Sequence, residues 1–360
     1  MRKAVKIGFI GVFCAVIGLA FPVFNIFSKQ LSMDSHENRL MTGLPQVLQS
    51  PLRELPRNLD NFLVDNSPFR YQFVLVNAGL DYALFGTSQS DQVLPGKDGW
   101  LFYKDGPNAA QPMANYQGLA ELNDSADTLA EASAGLQILS DKLAENGCTL
   151  VLDLTPSKDR IYREYMPDGY PIVNEENRTD LLAAYLQSHT TVPVVWRYDM
   201  LRSQARQNAD RLLYYKTDTH WNAVGALIGL DGIFEALDMP TRPADSYPVE
   251  AGGTTTGDMA NGAALYASLP AEETYVVPGY DRMFEKDSRA VRVIGDSFSE
   301  YYMPYLQARF TNSWREHIDT FTTDVAEHPG CDILILEFNE RSLDKLLAIL
   351  ERLEKLFKGK

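Results

Sequence analysis

The stretch Val291-Arg292-Val293-Ile294-Gly295-Asp296-Ser297-Phe298-Ser299 reads as a buried strand that runs into a sharp turn. A strand ending in Gly-Asp-Ser leaves Ser297 on the sharp turn at the carboxyl edge of a sheet, where a hydroxyl is exposed and the following amides are free. A companion lies upstream in Asp218-Thr219-His220-Trp221, so a serine, a histidine and an acid are all available to one site.

Outward from this strand the chain alternates strands with helices. Cys148 to Leu154 is almost continuously apolar, as a strand buried on both faces would be, and it runs into the loop Thr155-Pro156-Ser157-Lys158. A helix is expected from about Ala126 to Asn146, stopped by Gly147. Others are expected over Asp180 to Gln187, over Ala223 to Leu237 and from near Ser299, with a closing helix over Arg341 to Phe357. Strands are expected at Val192 to Tyr198 and Cys331 to Phe338, and Gly96 to Tyr103 reads as a tight turn leading into an aromatic strand. Between Pro240 and Lys286 the pattern lapses into turn-rich sequence, the length of a surface excursion with a functional role. The expected fold is therefore α/β, a mostly parallel sheet with helices on both faces, over residues 95–360.

The front of the chain differs. Arg2, Lys3 and Lys6 precede a run from Ile7 to Phe27 without a charge, about the length that crosses a bilayer as a helix. The basic flank would keep the first residues cytoplasmic and send the rest outside. No small-x-small cleavage site follows, so residues 1–28 are expected to be an uncleaved signal anchor. Residues 29–94 then form an irregular, partly helical extracytoplasmic stalk, with helical spacing over Tyr71 to Leu84 whose apolar set is Phe73, Val74, Val76, Leu80 and Leu84. Beyond Cys14 in the apolar run, the cysteines are Cys148 and Cys331. Each precedes an expected strand, so they could pair across neighbours, but free buried thiols are the expectation at this count. A formal charge of -15 argues against nucleic acid and against simple attachment to an anionic membrane surface.

A serine hydroxyl attacks only when a base takes its proton, and that base needs a third group to hold its tautomer. His220 is the candidate base. If the segment is extended, Asp218 shares its face and can orient the ring, since residues i and i+2 point the same way. Asp296 is expected to brace the turn. For an oxyanion the Ser297 amide is the first candidate donor, with Lys158, Arg341 or the Gly257-Asp258 loop as further candidates. Trp100, Trp221, Tyr301 and Tyr302 are candidates for stacking on a sugar, against the plainer reading that they pack. Asp218 or Thr217 could instead cap the helix from Ala223. Zinc is poorly served, because no second histidine is suitably spaced, and no cofactor-binding motif appears.

The succession Gly99-Trp100-Leu101-Phe102, Pro156-x-Lys158, Thr217-Asp218-Thr219-His220-Trp221, Gly257-Asp258-Met259-Ala260, Gly295-Asp296-Ser297-Phe298 and Glu340-Arg341 resembles the alginate O-acetyltransferase (AlgJ/AlgX-like) family, over roughly residues 35 to 345. These are SGNH-hydrolase-like proteins in which Asp-x-His precedes the serine. The resemblance implies a periplasmic, membrane-anchored enzyme that acetylates an exported polysaccharide, of alginate, cellulose or another type. It implies Ser297 as nucleophile, His220 as base and Asp218 as its orienter. It also implies a multi-pass membrane O-acyltransferase partner that supplies the acetyl group. Two other functions remain open on the same residues: an acetyl esterase, with water as acceptor, and a scaffold of a secretion complex without turnover.

Overall fold

The computed structural model describes residues 5–16, 18–19, 41–66, 70–104, 111–122, 125–208 and 210–357. These divide into two compact units, Met1–Gln89 with Asn261–Leu269, and Ser90–Ala260 with Pro270–Lys360.

In the first unit, residues 5–16 are helical with exposed side chains. Among the described residues no helix is long and apolar enough to cross a membrane. The rest of the expected anchor, at 1–4, 17 and 20–28, lies outside the described residues. Helices follow at Leu44–Leu48, Leu55–Asp65 and Arg70–Phe85. The second of these, with a proline in its first turn where a missing N–H costs nothing, falls in the stretch expected to be irregular. The spacing over Tyr71 to Leu84 does form a helix, but Phe73, Val76, Leu80 and Leu84 are exposed rather than packed inward.

The second unit opens with an antiparallel hairpin, β1 (Val93–Pro95) and β2 (Leu101–Tyr103), around a turn that puts Asp98 and Gly99 at positive φ. Then come the helix Ser125–Glu145, β3 (Thr149–Thr155), the helix Arg178–His189, β4 (Val194–Trp196) and the helices Tyr198–Gln207 and Ala223–Ala236. A second hairpin, β5 (Glu250–Thr255) with β6 (Glu272–Val276), precedes β7 (Asp287–Gly295), the helix Met303–Arg309, β8 (Phe310–His317), β9 (Ile333–Asn339) and the helix Leu343–Phe357.

Five strands make one parallel sheet in the order β4-β3-β9-β7-β8. Alternation along the central strands splits the core. Leu150, Leu152 and Leu154 of β3 and Leu334, Leu336 and Phe338 of β9 pack beneath the helices Ser125–Glu145, Arg178–His189 and Leu343–Phe357. Val151, Val291, Val293, Ile333 and Ile335 face the other way, onto Ala223–Ala236 and the aromatic hairpin. On that second face the carboxyl ends turn polar, with Asp153 paired in register to Glu337 and Thr155 to Asn339.

Three expectations are corrected. The strand at Val192 to Tyr198 shrinks to three residues, and Tyr198 starts a helix held by buried Leu201 and Ala205 one turn apart. β4 is an edge, and short edges limit pairing with other chains. β8 was not foreseen, because this other edge strand is largely solvated and carries no apolar alternation. The turn-rich stretch from Pro240 to Lys286 contains a hairpin and the short helix Asp258–Gly262.

Candidate active site

The carboxyl ends of β3, β9 and β7 lie side by side and present Thr155 to Lys158, Asn339 to Arg341 and Gly295 to Ser297, the edge at which open parallel sheets carry ligands. Ser297 heads a 3-10 turn, Ser297–Tyr302, that runs directly into the helix Met303–Arg309. Asp296 caps the turn. One oxygen accepts the Phe298 amide at 3.0 Å, while the other accepts the Asn339 amide at 2.9 Å and the Ser342 hydroxyl at 3.3 Å. It therefore ties β7 to β9, the bracing role expected of it. Gly295 has to be glycine, since a Cβ there would meet Glu337 Oε2 at 2.6 Å and Ser299 Oγ at 2.9 Å. From β8, Arg315 donates to Ser299 Oγ at 2.6 Å and to the Asp296 carbonyl at 2.8 Å, and pairs with Glu300 at 2.9 Å.

Opposite this turn stands the segment from Tyr215 to Trp221. His220 Nε2 lies 2.7 Å from Ser297 Oγ, and His220 Nδ1 lies 2.7 Å from Asp218 Oδ1. A proton held on Nδ1 by the carboxylate leaves Nε2 to accept the serine proton. The local geometry is a bent loop, not the extended segment expected. Asp218 Oδ1 also accepts the His220 amide at 3.0 Å, a turn closed by the aspartate's own side chain, and this puts the carboxylate against the ring. The helix from Ala223 is capped by Asn222, which accepts from the amides of Val224 and Gly225, so capping is not the work of Asp218 or Thr217.

The histidine-bearing loop is clamped from three sides. Lys158, fully buried, donates to the carbonyls of Tyr215 at 3.0 Å, Lys216 at 2.8 Å and Asp218 at 2.6 Å. Burial pushes its ammonium down to about 7, against the pull of Asp218, Glu272 and Asp258. Glu272 of β6 accepts the Lys216 and Thr217 amides and the Thr217 hydroxyl. Asp258 accepts the Thr219 amide at 2.7 Å and its hydroxyl at 2.5 Å, and donates its own amide to Asp218 Oδ2 at 2.9 Å. Gly257 permits that approach, because a Cβ would lie 2.1 Å from the Thr217 carbonyl. Burial alone would raise the Asp218 pKa. The His220 ring and the amides of Asp258 and His220 outweigh it and hold the carboxyl at about 2.

Asp218, His220 and Asp258 bring one ligand atom each within 4.8 Å of one another. All four carboxylate oxygens already accept hydrogen bonds from this loop or its clamp, the chemistry of an orienting network.

The remaining candidates separate cleanly. Lys158 spends its three donors on carbonyls, so it positions the loop and is not free to meet an oxyanion. Arg341 stacks over Tyr103 at 5.0 Å and Phe298 at 5.4 Å, beside a cavity of about 20 Å³ that it lines with Lys158, Thr219 and Phe298. Of the aromatics, Trp100, Trp221 and Tyr302 are fully buried and pack. Trp221 donates to the Phe298 carbonyl at 3.0 Å, and Trp100 stacks on Tyr165 at 4.8 Å. Tyr301 is half-buried and stacks on His220 at 5.2 Å, so it alone of the four stands at the site.

Sequence reasoning missed Glu272, Arg315 and Glu337. Glu272 lies in turn-rich sequence and Arg315 on an unforeseen edge strand, neither with a local signal. Glu337 did carry one, an acid inside an otherwise apolar run. It is fully buried, accepts the Asp296 amide at 2.9 Å, and is pushed well above the usual carboxyl range by burial and by Asp296 and Asp153.

A family profile described as an SGNH hydrolase-like domain, acetyltransferase AlgX, matches residues 93–314. The chain is 25% identical over 228 residues to a Pseudomonas putida protein named "Probable alginate O-acetylase AlgJ", covering 61% of this chain and 53% of that one. It is 29% identical over 154 residues to the Pseudomonas aeruginosa protein of that name, covering 41% and 34%. The chain thus spans about half or less of the length of these relatives. Among solved structures, the O-acetyltransferase domain of Pseudomonas putida AlgJ is similar at 21% identity and a TM-score of 0.48, over 72% of this chain and 98% of that one. Bacillus cereus PatB1 is similar at 14% and 0.47, over 70% and 96%.

Proposed function

Because this chain belongs to the SGNH hydrolase-like acetyltransferase family of AlgX and AlgJ, we propose that it transfers acetyl groups to hydroxyls of an exported polysaccharide through an acetyl-Ser297 intermediate. The observation that carries this reading is the unbroken line of 2.7 Å contacts from Ser297 Oγ through His220 to Asp218. His220 Nε2 takes the serine proton as Oγ attacks the acetyl carbonyl, and returns it to the departing group of the donor. A sugar hydroxyl then gives its proton to Nε2 and attacks the acetyl carbonyl, and Ser297 leaves with the proton restored. Asp218 stabilises the imidazolium in both halves. The Ser297 amide, at the head of its turn and without an intrahelical acceptor, is the oxyanion donor.

The basic flank and the uncharged run up to Phe27 support an extracytoplasmic domain held by an N-terminal anchor, with a multi-pass membrane O-acyltransferase as the acetyl source. The acceptor is a polysaccharide of alginate, cellulose or another exopolysaccharide type; the charge of -15 weighs mildly against a strongly polyanionic one.

The test uses an activated acetyl ester with neutral and uronic acid oligosaccharides as acceptors, following product mass beside Ser297→Ala. A sugar heavier by one acetyl group, from the unaltered protein alone, is the expected result. Acetate release without acetylated sugar would make the protein an esterase, and no Ser297-dependent turnover would overturn the reading.

A further inference from the structure

Two thiols far apart in sequence meet at the amino end of the central sheet, opposite the edge that carries Ser297. Cys148 leads into β3 and Cys331 into β9, and their sulfurs are 3.6 Å apart across 183 residues of chain. Cys331 sits in the bend at 331–332, before the regular alternation of β9 begins, and its side chain packs with Cys148 on the face of Leu150 and Leu334. Cys148 is buried and Cys331 half-buried. The two strands are locked in register immediately beyond, where the Thr149 amide donates to the Asp332 carbonyl at 2.8 Å. A disulfide needs sulfurs at about 2.05 Å, so the pair has about 1.5 Å to close.

We propose that Cys148 and Cys331 form an intramolecular disulfide that staples β3 to β9 in the mature protein. The proposal rests on the extracytoplasmic placement argued above, because the compartment must supply an oxidant of the disulfide class. In the first step the Cys331 thiolate attacks a sulfur of the oxidant's disulfide, forming a mixed disulfide and releasing one thiol. The Cys148 thiolate then attacks Cys331 Sγ and expels the second thiol. The protein loses two hydrogens and two electrons, and the oxidant's disulfide becomes two thiols. Cys331 is the entry point on two counts. It is the more exposed sulfur, and its thiolate is favoured by the Cys148 thiol and, against burial, by the Arg292 guanidinium. Cys148 is the buried sulfur, which suits it to act second, once the mixed disulfide is beside it.

Strands β3 and β9 carry, at their other ends, Ser157-Lys158 and Asn339-Glu340-Arg341. A covalent tie between them therefore secures the base of two of the three site-bearing loops.

The test uses the full chain with Cys14→Ser, so that only these two thiols remain, alkylated during unfolding without reductant. One sample is isolated from the extracytoplasmic compartment, and a second is reduced and then equilibrated with oxidised glutathione. The expected result in both is a cross-linked peptide pair 2 Da lighter than the two thiols, and a melting temperature that falls by about 10 °C on reduction. Cys148→Ser/Cys331→Ser should melt at one temperature whatever the redox state. Two alkylated thiols after glutathione treatment, or glutathione held on Cys331 without a cross-link, overturn the disulfide. A cross-link with glutathione but free thiols in the cell-derived sample overturns the bond in the mature protein through the premise of export, leaving the geometry of the pair intact.

Discussion

Replacing Asp218 with asparagine keeps the shape of the side chain that orients His220 and removes its charge. The native carboxyl sits at about 2, down from 3.8, because the imidazole and two amides bind its ionised form. A displacement of that size corresponds to roughly 2–3 kcal/mol of stability. The sign follows from the lowered value. The contribution is complete above the unfolded pKa of about 4 and is lost as pH falls towards about 2. Asp218→Asn should therefore melt well below the unaltered protein at pH 7, with the gap closing below pH 4. The chemical effect is larger. An amide can present its NH₂ to Nδ1 and force the proton onto Nε2, which then cannot accept from Ser297, and a similar exchange in serine proteases costs ~10⁴ in rate. The assay is acetyl-Ser297 formation from an activated ester, by intact mass against time, with melts at pH 3 and pH 7. A variant that acylates within tenfold of the unaltered rate, or that loses as much stability at pH 3 as at pH 7, would refute the reasoning.

Gly257→Ala touches no reacting atom, yet its Cβ would press on the Thr217 carbonyl from 2.1 Å; about 1–3 kcal/mol of stability and ~10²-fold in acylation rate should be lost together, by melting and stopped-flow. Asp153 is pushed up to about 8 by burial, with Asp296 adding to the shift against Arg197. Because the folded value is raised, its stability contribution is present below pH 4 and disappears as pH climbs through 8, so Asp153→Asn should flatten the pH dependence of melting and be the more stable form at pH 8. An unchanged slope between pH 5 and pH 8 would contradict this. Tyr301→Ala should weaken acceptor use about tenfold in kcat/KM, whereas Tyr302→Phe, which removes a buried hydroxyl without a partner among the described residues, should leave both turnover and melting nearly unchanged. Equal losses at the two tyrosines would place the acceptor elsewhere.

Central strands and amphipathic helices were legible in the sequence because each is decided by its own side chains. Thr149–Thr155 and Ile333–Asn339 are mostly apolar runs buried on both faces, and Leu343–Phe357 shows its core stripe at helical spacing. The edge strand Phe310–His317 was not, since most of it is solvated and needs no apolar pattern, whereas the other edge, Val194–Trp196, was legible but read too long. The residues of the proposed site were also picked out locally, in Asp218-x-His220 and in Gly295-Asp296-Ser297.

Distances between segments belong to the tertiary structure. The 2.7 Å approach of His220 to Ser297 joins loops 77 residues apart, and the path between them has no local signature. The same holds for Lys158. Sequence marks it as a cation near a strand end, and only the fold reveals that its three donors are spent on the loop carrying the base. Burial decided the aromatics in the same way. Trp221 and Tyr302 flank the motifs as closely as Tyr301 does, but helix and turn geometry rotates the first two into the core and leaves the third against the imidazole. The sequence by itself marked the side chains on which the proposed chemistry rests; the packing of the sheet's carboxyl edge decided which of them stand against one another, because such chemistry depends on ångström separations that only the assembled chain defines.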